Sequence, residues 1–401
     1  MNIKISPSVA QGQVRAPASK SYAHRLLICA ALSQGVSVIE NIGTNDDIVA
    51  TVSCLKEMGA KIDVKGTTAT VEGISFGERK ESVSLFCNES GSTLRFLIPL
   101  SLLVANEGFF SGAGRLMERP QTVFEELFKA KGCFLNKEEN RLKAGGELKS
   151  GVYELRGDVS SQFITGLLFT LPLLSGDSEI RLTTPLQSAP YIDITIDALS
   201  RYGVNVERTD KGYFIKGSQK YVSQNISCEG DWSNSAFLHA FNLAGGSVQV
   251  EGLNPDSYQG DKVYRDFYEK LNVGTPTIDI SDCPDLGPVL MACAAMKNGA
   301  TLTGTQRLKI KESDRGSAMK QELSKLGVLV EIGEDYIKIP EYQLKAPTES
   351  VDCHNDHRIA MSMAVLCSVT GGTLNNAQCV NKSYPDFFED IKNLGITYKI
   401  I

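Results

Sequence analysis

Residues 24–64, HRLLICAALSQGVSVIENIGTNDDIVATVSCLKEMGAKIDV, hold two unlike helical stretches, each closed by glycine. The first, ending at Gly35, is apolar all round. The second, Val52–Gly59, mixes apolar and charged residues and leads into the β-rich AKIDV. A helix that is apolar all round must be buried, whereas an amphipathic one faces water along one side. Glycine after each stretch is the usual helix stop, because it takes the left-handed conformation without steric cost.

The pair repeats along the chain. Amphipathic stretches recur at Val123–Gly132 (before CFL), Ile196–Gly203 (before VNVE), Tyr268–Asn272, Met319–Gly327 (before VLVEI) and Phe387–Gly395 (before ITYKI). Their stops, at 59, 132, 203, 272, 327 and 395, lie 73, 71, 69, 55 and 68 residues apart. At Asn272, asparagine stands in for glycine as a left-handed stop. The apolar stretches stop at Gly35, Gly108, Gly176, Gly245, Gly299 and Gly371, at spacings of 73, 68, 69, 54 and 72. Two series in phase predict six units of about 70 residues, each with a buried helix, an amphipathic helix and strand pairs such as TATVEGI and YFIKG. Six units make two domains of three, with a break near Ser223–Glu229, before the polar cluster GDWSNS.

Composition bounds the function. The chain has 401 residues, 41 Lys+Arg against 47 Asp+Glu, and 42% hydrophobic residues, as in a globular protein. The net charge of −6 argues against a nucleic-acid coat, which wants surplus Lys and Arg. The longest apolar stretch, Phe163–Leu174, is interrupted by Thr165, Gly166, Thr170 and Pro172, so no membrane span is expected. The N-terminus shows no apolar signal region, which makes the cytoplasm the expected compartment. The 10 cysteines sit singly, without a CxxC, and read as buried thiols in a reducing compartment.

The apolar stretches begin in polar clusters: Ser19-Lys20-Ser21, Gly91-Ser92-Thr93, Ser160-Ser161-Gln162, Asp231-Trp232-Ser233, Pro284-Asp285 and Asn355-Asp356-His357-Arg358. Ser, Asp and Asn there serve as N-caps. A helix start also presents free N–H groups and a partial positive charge, which favour an anion. Cations gather nearby: Arg25, Arg119 in MERP, Lys311 and Arg315 in KIKESDR, and Lys382 in NKSYPD. Generic nucleotide motifs are missing. Ser19–Ser21 lacks the upstream glycines of a phosphate loop, and Gly112-Ala113-Gly114 lacks a dinucleotide fingerprint's third glycine. The cluster Cys353–His357 is too closely spaced, and lacks a distant second ligand pair, for a metal site. The 4 histidines suggest no Ser-His-Asp or Cys-His arrangement.

From about Pro7 onward the sequence resembles the EPSP synthase (3-phosphoshikimate 1-carboxyvinyltransferase) family of enolpyruvyl transferases. The matching stretches are PASKSYAHR, ESGSTLRF, MERPQ, GDVSSQF, SAPYIDIT, CPDLGP, KIKESDR, NDHRIAM and NKSYPDFF. The resemblance implies an α/β fold of two similar domains, each of three βαβαββ units around buried parallel helices, an inside-out α/β barrel. It places the N-terminal strand with the C-terminal half, so the chain crosses between domains twice. The expected domains are 13–225, and 1–12 with 226–401, with the active site in the cleft between them. The implied reaction moves the enolpyruvyl group of phosphoenolpyruvate to the 5-hydroxyl of shikimate 3-phosphate and releases phosphate, with no cofactor and no metal. The implied partners are those two small molecules, without nucleic acid or membrane, and a monomer is expected.

By that resemblance, shikimate 3-phosphate is held by Lys20, Ser21, Arg25, Ser160, Ser161, Gln162, Ser188, Asp285 and Lys311. Phosphoenolpyruvate is held by Lys20, Gly91, Arg119, Gln162, Arg315, Arg358 and Lys382. Asp285 is the expected base, Glu312 the expected acid, and Lys20 a proton shuttle. The charges agree: each substrate carries a carboxylate and a phosphate, the latter worth about −1.5 to −2. Glu89, Ser92, Phe96 and Arg307 depart from common family patterns and put inhibitor sensitivity in question. Three rivals fit less well. A UDP-N-acetylglucosamine enolpyruvyl transferase would show GAKN where ASKSYAHR stands, and a loop cysteine near MERP. An RNA 3′-phosphate cyclase would need a nucleotide-linked His and basic surfaces, against which the acidity and the 4 histidines weigh. A non-catalytic anion-binding protein would be expected to lose Asp285, Glu312 or Lys382, all of which are present.

Overall fold

The computed structural model describes residues 1–401, the whole chain. Its α-helices alternate between two kinds: α1 (Lys20–Leu32), α2 (Asp46–Met58), α3 (Gly91–Val104), α4 (Thr122–Ala130), α5 (Ser161–Thr170), α6 (Ala189–Arg201), α7 (Trp232–Leu243), α8 (Tyr264–Val273), α9 (Gly287–Met296), α10 (Arg315–Lys325), α11 (His357–Thr370) and α12 (Phe387–Asn393). The odd-numbered helices are buried nearly throughout; every residue of α1 from Tyr22 to Leu32 is hidden from water. The even-numbered ones bury one face: Val123, Phe124, Leu127 and Phe128 in α4, for example. No helix is long and apolar enough to cross a membrane.

The polar clusters do start the buried helices. Side chains of Ser19, Ser90, Ser160, Asp231 and Asp356 accept hydrogen bonds from backbone N–H groups in the first turns of α1, α3, α5, α7 and α11. Each such cap contributes about 1 kcal/mol. A 3-10 turn, Pro284–Leu286, leads into α9 instead. After the amphipathic helices, Gly59, Gly132, Gly203, Gly327 and Gly395 all have positive φ. Two expected stops are corrected. Helix α8 runs through Asn272 to Val273, where the Asn298 side chain donates to the carbonyls of Leu271 (3.0 Å) and Asn272 (3.5 Å). An outside donor satisfies those carbonyls, so no left-handed turn is needed at Asn272. Gly108 lies within a strand, Ala105–Ser111, because pairing with Lys80–Phe86 begins as soon as α3 ends.

One sheet pattern recurs. Strands Lys80–Phe86 and Ala105–Ser111 pair in parallel, and Arg141–Gly145 and Phe134–Glu138 follow antiparallel. The same order joins Gly151–Leu155, Ser178–Leu182, Gly212–Ile215 and Glu207–Thr209. It recurs again in Thr277–Asp279, Ala300–Thr303, Tyr336–Ile339 and Glu331–Ile332. In the sheet of Val351–Asp352 and Gly372–Asn375, the N-terminal strand Ile3–Ile5 takes the third place, ahead of Tyr398–Ile400.

The chain divides into one compact unit of residues 18–229 and another of residues 1–17 with 230–401. The breaks therefore fall a few residues beyond positions 12 and 225. The reason is pairing: Gln11–Arg15 lies parallel to Ser247–Glu251, which draws the chain up to Pro17 into the C-terminal unit. Each unit has its own apolar core. In the first, α3 and α5 meet at Gly166, where a Cβ would stand 2.4 Å from the Arg95 carbonyl oxygen. Only glycine permits that approach, and it sets the starts of the two helices side by side.

Candidate active site

In the unit of residues 18–229, the starts of α1, α3 and α5 carry mostly neutral polar groups. Lys20, the first residue of α1, pairs with Asp47 of α2 at 2.9 Å. Arg25 lies one turn further along and is buried. It donates to Thr195 Oγ1 (2.8 Å) and to the carbonyls of Ser21 (2.7 Å) and Tyr191 (2.9 Å). Burial lowers its pKa to about 10, which leaves it cationic at neutral pH. Ser188, buried before α6, has φ of 57°, in the left-handed region. Such a conformation in a residue with a Cβ marks a position whose surroundings over-determine it.

Gln162 joins the two helices that Gly166 brings together. Its Nε2 donates to Ser92 Oγ (3.1 Å), and its Oε1 accepts from Arg95 (2.8 Å). Arg95 also donates to the Pro120 carbonyl (3.0 Å) and lies 4.7 Å above the Phe163 ring. The loop MERPQ is thereby tied to α3. Arg119 in that loop comes close to Gly91: a Cβ there would be 2.9 Å from Arg119 Nη1 and 3.4 Å from Gln162 Oε1. A methyl at Gly91 would therefore press first on the arginine. Ser160 caps α5, and Ser161 is buried beside it.

The C-terminal unit gathers its charges into direct contact. Asp285 stands at the start of α9 and accepts three charged donors: Lys311 Nζ at 3.1 Å, Arg315 Nη1 at 2.8 Å and Arg358 Nη2 at 3.1 Å. Burial alone would raise its pKa, but Arg358, Lys311 and Arg315 together hold it well below 3.8. Asp285 is therefore an ionised acceptor at neutral pH. Arg315 also donates to Asp356 (2.9 Å) and Glu312 (2.7 Å). Its burial opposes the charge, yet those carboxylates hold its pKa above the usual value. Burial lowers the pKa of Lys311, with Asp285 acting against that shift.

Asp356 anchors the next helix as well. It caps α11, accepts from the Arg358 N–H at 2.9 Å, and accepts from Ser313 Oγ at 3.0 Å. Arg358 Nη1 donates to Ser233 Oγ (2.7 Å) and to the Asp285 carbonyl (3.1 Å). Lys382 donates to the Asn355 carbonyl at 2.5 Å, at the entry to α11. Asp285, Lys311, Glu312, Arg315 and Arg358 thus form one connected set of ion pairs, with Lys382 beside it.

A profile of the EPSP synthase family (3-phosphoshikimate 1-carboxyvinyltransferase) matches residues 6–391. The chain belongs to this family. A 3-phosphoshikimate 1-carboxyvinyltransferase of Clostridium kluyveri is 42% identical over 416 residues, covering 98% of this chain and 97% of that protein. One from Clostridium novyi is 41% identical, with the same coverage. The solved EPSP synthase of Acinetobacter baumannii superimposes with a TM-score of 0.78 over 99% of both chains at 22% identity, which establishes the shared fold. Membership fixes the repeat as an EPSP synthase architecture and the chain as an enzyme acting on small molecules.

Several residues that join these clusters carry no clear signal in the sequence. Asp47 reads as an ordinary acid at a helix start, and nothing local shows that it pairs with Lys20. Arg95 was visible in ESGSTLRF, and Asp356 and Ser233 in their helix-start clusters, but their partners lie far off in sequence. Glu312, expected as an acid, is placed as a hydrogen-bond acceptor to Arg315.

Proposed function

We propose that this chain transfers the enolpyruvyl group of phosphoenolpyruvate to the 5-hydroxyl of shikimate 3-phosphate, releasing phosphate. The observation that carries the reading is Asp285, an ionised carboxylate held by three cations at the start of α9. An alcohol attacking a vinyl phosphate needs a base for its proton, an acid for the methylene carbon, and cations for the phosphate and carboxylates.

Asp285 takes the proton of the 5-hydroxyl as its oxygen bonds to C2 of phosphoenolpyruvate. Lys311 holds Asp285 in place and meets the shikimate phosphate ester's side of the reaction as a point charge. Arg315 and Arg358, with planar guanidinium groups, suit the carboxylate and phosphate of phosphoenolpyruvate, and Lys382 adds a third cation. Lys20, Ser21, Arg25, Ser160, Ser161, Gln162 and Ser188 orient shikimate 3-phosphate, while Gly91 and Arg119 receive phosphoenolpyruvate. Glu312 protonates the methylene carbon. Its role depends on substrate: once Arg315 turns toward an anionic ligand, Glu312 loses part of its pairing and takes up from solvent the proton it delivers. Lys20 shuttles a proton. The tetrahedral adduct then loses phosphate and a methyl proton, which restores the vinyl group. The chain works in the cytoplasm, a setting that suits its ten free, buried cysteines.

The test is direct. Purified protein is mixed with phosphoenolpyruvate and shikimate 3-phosphate, with a chelator present, and phosphate release is followed. Release is expected. No release, or release only with UDP-N-acetylglucosamine as acceptor, would overturn the reading.

A further inference from the structure

Four buried side chains of the first unit form a row of hydrogen bonds that the reaction above does not use: His24 on α1, Thr51 on α2, and Thr93 and Ser90 at the start of α3. His24 Nδ1 lies 2.7 Å from Thr51 Oγ1, which lies 2.7 Å from Thr93 Oγ1. Thr93 Oγ1 donates to Ser90 Oγ at 2.8 Å, and Ser90 Oγ also accepts from the Thr93 N–H at 3.2 Å. That last bond is the cap of α3, and the residue after Ser90 is Gly91.

Counting protons gives the row a direction. A hydroxyl has one proton to donate, and a neutral imidazole has one as well. Thr93 spends its proton on Ser90, so toward Thr51 it can only accept. Thr51 therefore donates to Thr93 and accepts from His24. Burial, with the charges of Lys20 and Arg25, holds the pKa of His24 well below 6.5, so the ring is neutral and its one proton sits on Nδ1. Nε2 is buried and has no hydrogen-bond partner, which leaves Nδ1 as the ring's only polar anchor. The row also repeats a contact one turn away. Lys20 and Asp47 pair at 2.9 Å, and His24 and Thr51 stand four residues further along the same two helices. Helices α1 and α2 are thus pinned at two successive turns, and the second pin continues to α3 through Thr93. Lys20 and Gly91 share one frame as a result.

We propose that His24 is a positioning residue: its Nδ1–H, acting through Thr51 and Thr93, fixes the Ser90 cap and so holds the Gly91 backbone in place for phosphoenolpyruvate. The inference rests on the proposed role of Gly91 in receiving that substrate. What His24 contributes is a donor at one place, not a charge. Asparagine carries its amide nitrogen on Cγ, where histidine carries Nδ1. Glutamine carries it one atom further out, nearer the place of Nε2.

The test combines nuclear magnetic resonance with kinetics. Ring nitrogen spectra of the unaltered protein should show His24 protonated at Nδ1 and bare at Nε2. The Gly91 amide signal, followed in glycine-labelled protein and assigned by its loss in Gly91→Ala, reports the start of α3 whether or not the protein turns over. His24→Gln and Thr51→Val should each move that signal. Each should also raise the KM for phosphoenolpyruvate about three- to ten-fold at saturating shikimate 3-phosphate, with kcat changed far less. The two together should be no worse than either alone, because both cut the same row. His24→Asn restores the donor and should return the Gly91 signal and the KM close to those of the unaltered protein. If His24→Gln does not fold, Thr51→Val against Thr51→Ser, which keeps the hydroxyl, makes the same comparison. A ring protonated at Nε2, a Gly91 signal unmoved in Thr51→Val, or His24→Asn as impaired as His24→Gln would overturn the inference. If the unaltered protein releases no phosphate, the ring spectrum and the Gly91 signal still decide the positioning, and only the assignment of phosphoenolpyruvate falls.

Discussion

The two units present the same architecture with opposite chemistry. At the starts of α1, α3 and α5 the polar groups are hydroxyls, an amide and a few cations, linked by bonds such as Gln162 to Ser92 and Arg95. At the starts of α9 and α11 they are full charges in contact: Asp285 and Asp356 against Lys311, Arg315 and Arg358. Neutral donors can bind an anion without disturbing one another. Interlocked charges cannot, because moving one leaves its partner buried and uncompensated. On the proposed reading, the first unit holds a substrate, and the second changes its electrostatics when a substrate arrives.

The largest expected effect follows from that contrast. Asp285→Asn should lower turnover by on the order of 10²–10⁴, the usual share of a general base, while shikimate 3-phosphate still binds. Turnover in a phosphate-release assay and calorimetric binding check the two halves; near-normal turnover would remove Asp285 as base. Next comes Arg315→Met, which strands Asp356 and Glu312. Breaking a buried pair of this kind costs about 3–5 kcal/mol, so thermal unfolding should fall markedly. The comparable change in the first unit, Gln162→Leu, should cost about 1.5–3 kcal/mol, since it removes one hydrogen bond from Arg95 and one to the Ser92 hydroxyl but strands no ion pair. Equal losses in the two variants would erase the comparison.

Smaller effects sharpen it. Gly91→Ala should raise the KM for phosphoenolpyruvate several-fold through displacement of Arg119, and Arg119→Ala made on top of it should add little. If the two losses add, the methyl acts on the ligand itself. The smallest effect concerns pH. His354 pairs with buried Glu322 at 2.8 Å, and that bond raises the histidine's pKa against the pull of burial, with Asp352 helping and Lys325 opposing. A raised folded-state pKa means the pair's contribution is full below about 6.5, the unfolded value, and is lost as pH rises through the folded value. Melting temperatures across that range should decline more for the natural protein than for His354→Gln; parallel curves would exclude the pair.

Much of the fold was legible because its repeat is written in local chemistry. Apolar helices without a polar face, glycines that take positive φ and Ser or Asp caps all act within a few residues. The sequence misled where a distant group intervened. Asn298, far along the chain, satisfies the end of α8 and removes the need for a stop at Asn272. The break at Pro17 moved because Gln11–Arg15 pairs with a strand more than two hundred residues away.

The candidate residues divide along the same line. The chain alone placed Lys, Arg, Ser and Asp at the starts of buried helices, since caps and helix-start charges are local effects. Only the tertiary structure decided which charge meets which. It gave Asp285 three cations and turned Glu312 into an acceptor for Arg315. A carboxylate's proton affinity depends on what lies within a few ångströms of it, and the neighbours of Asp285 come from separate helix starts that only folding brings together.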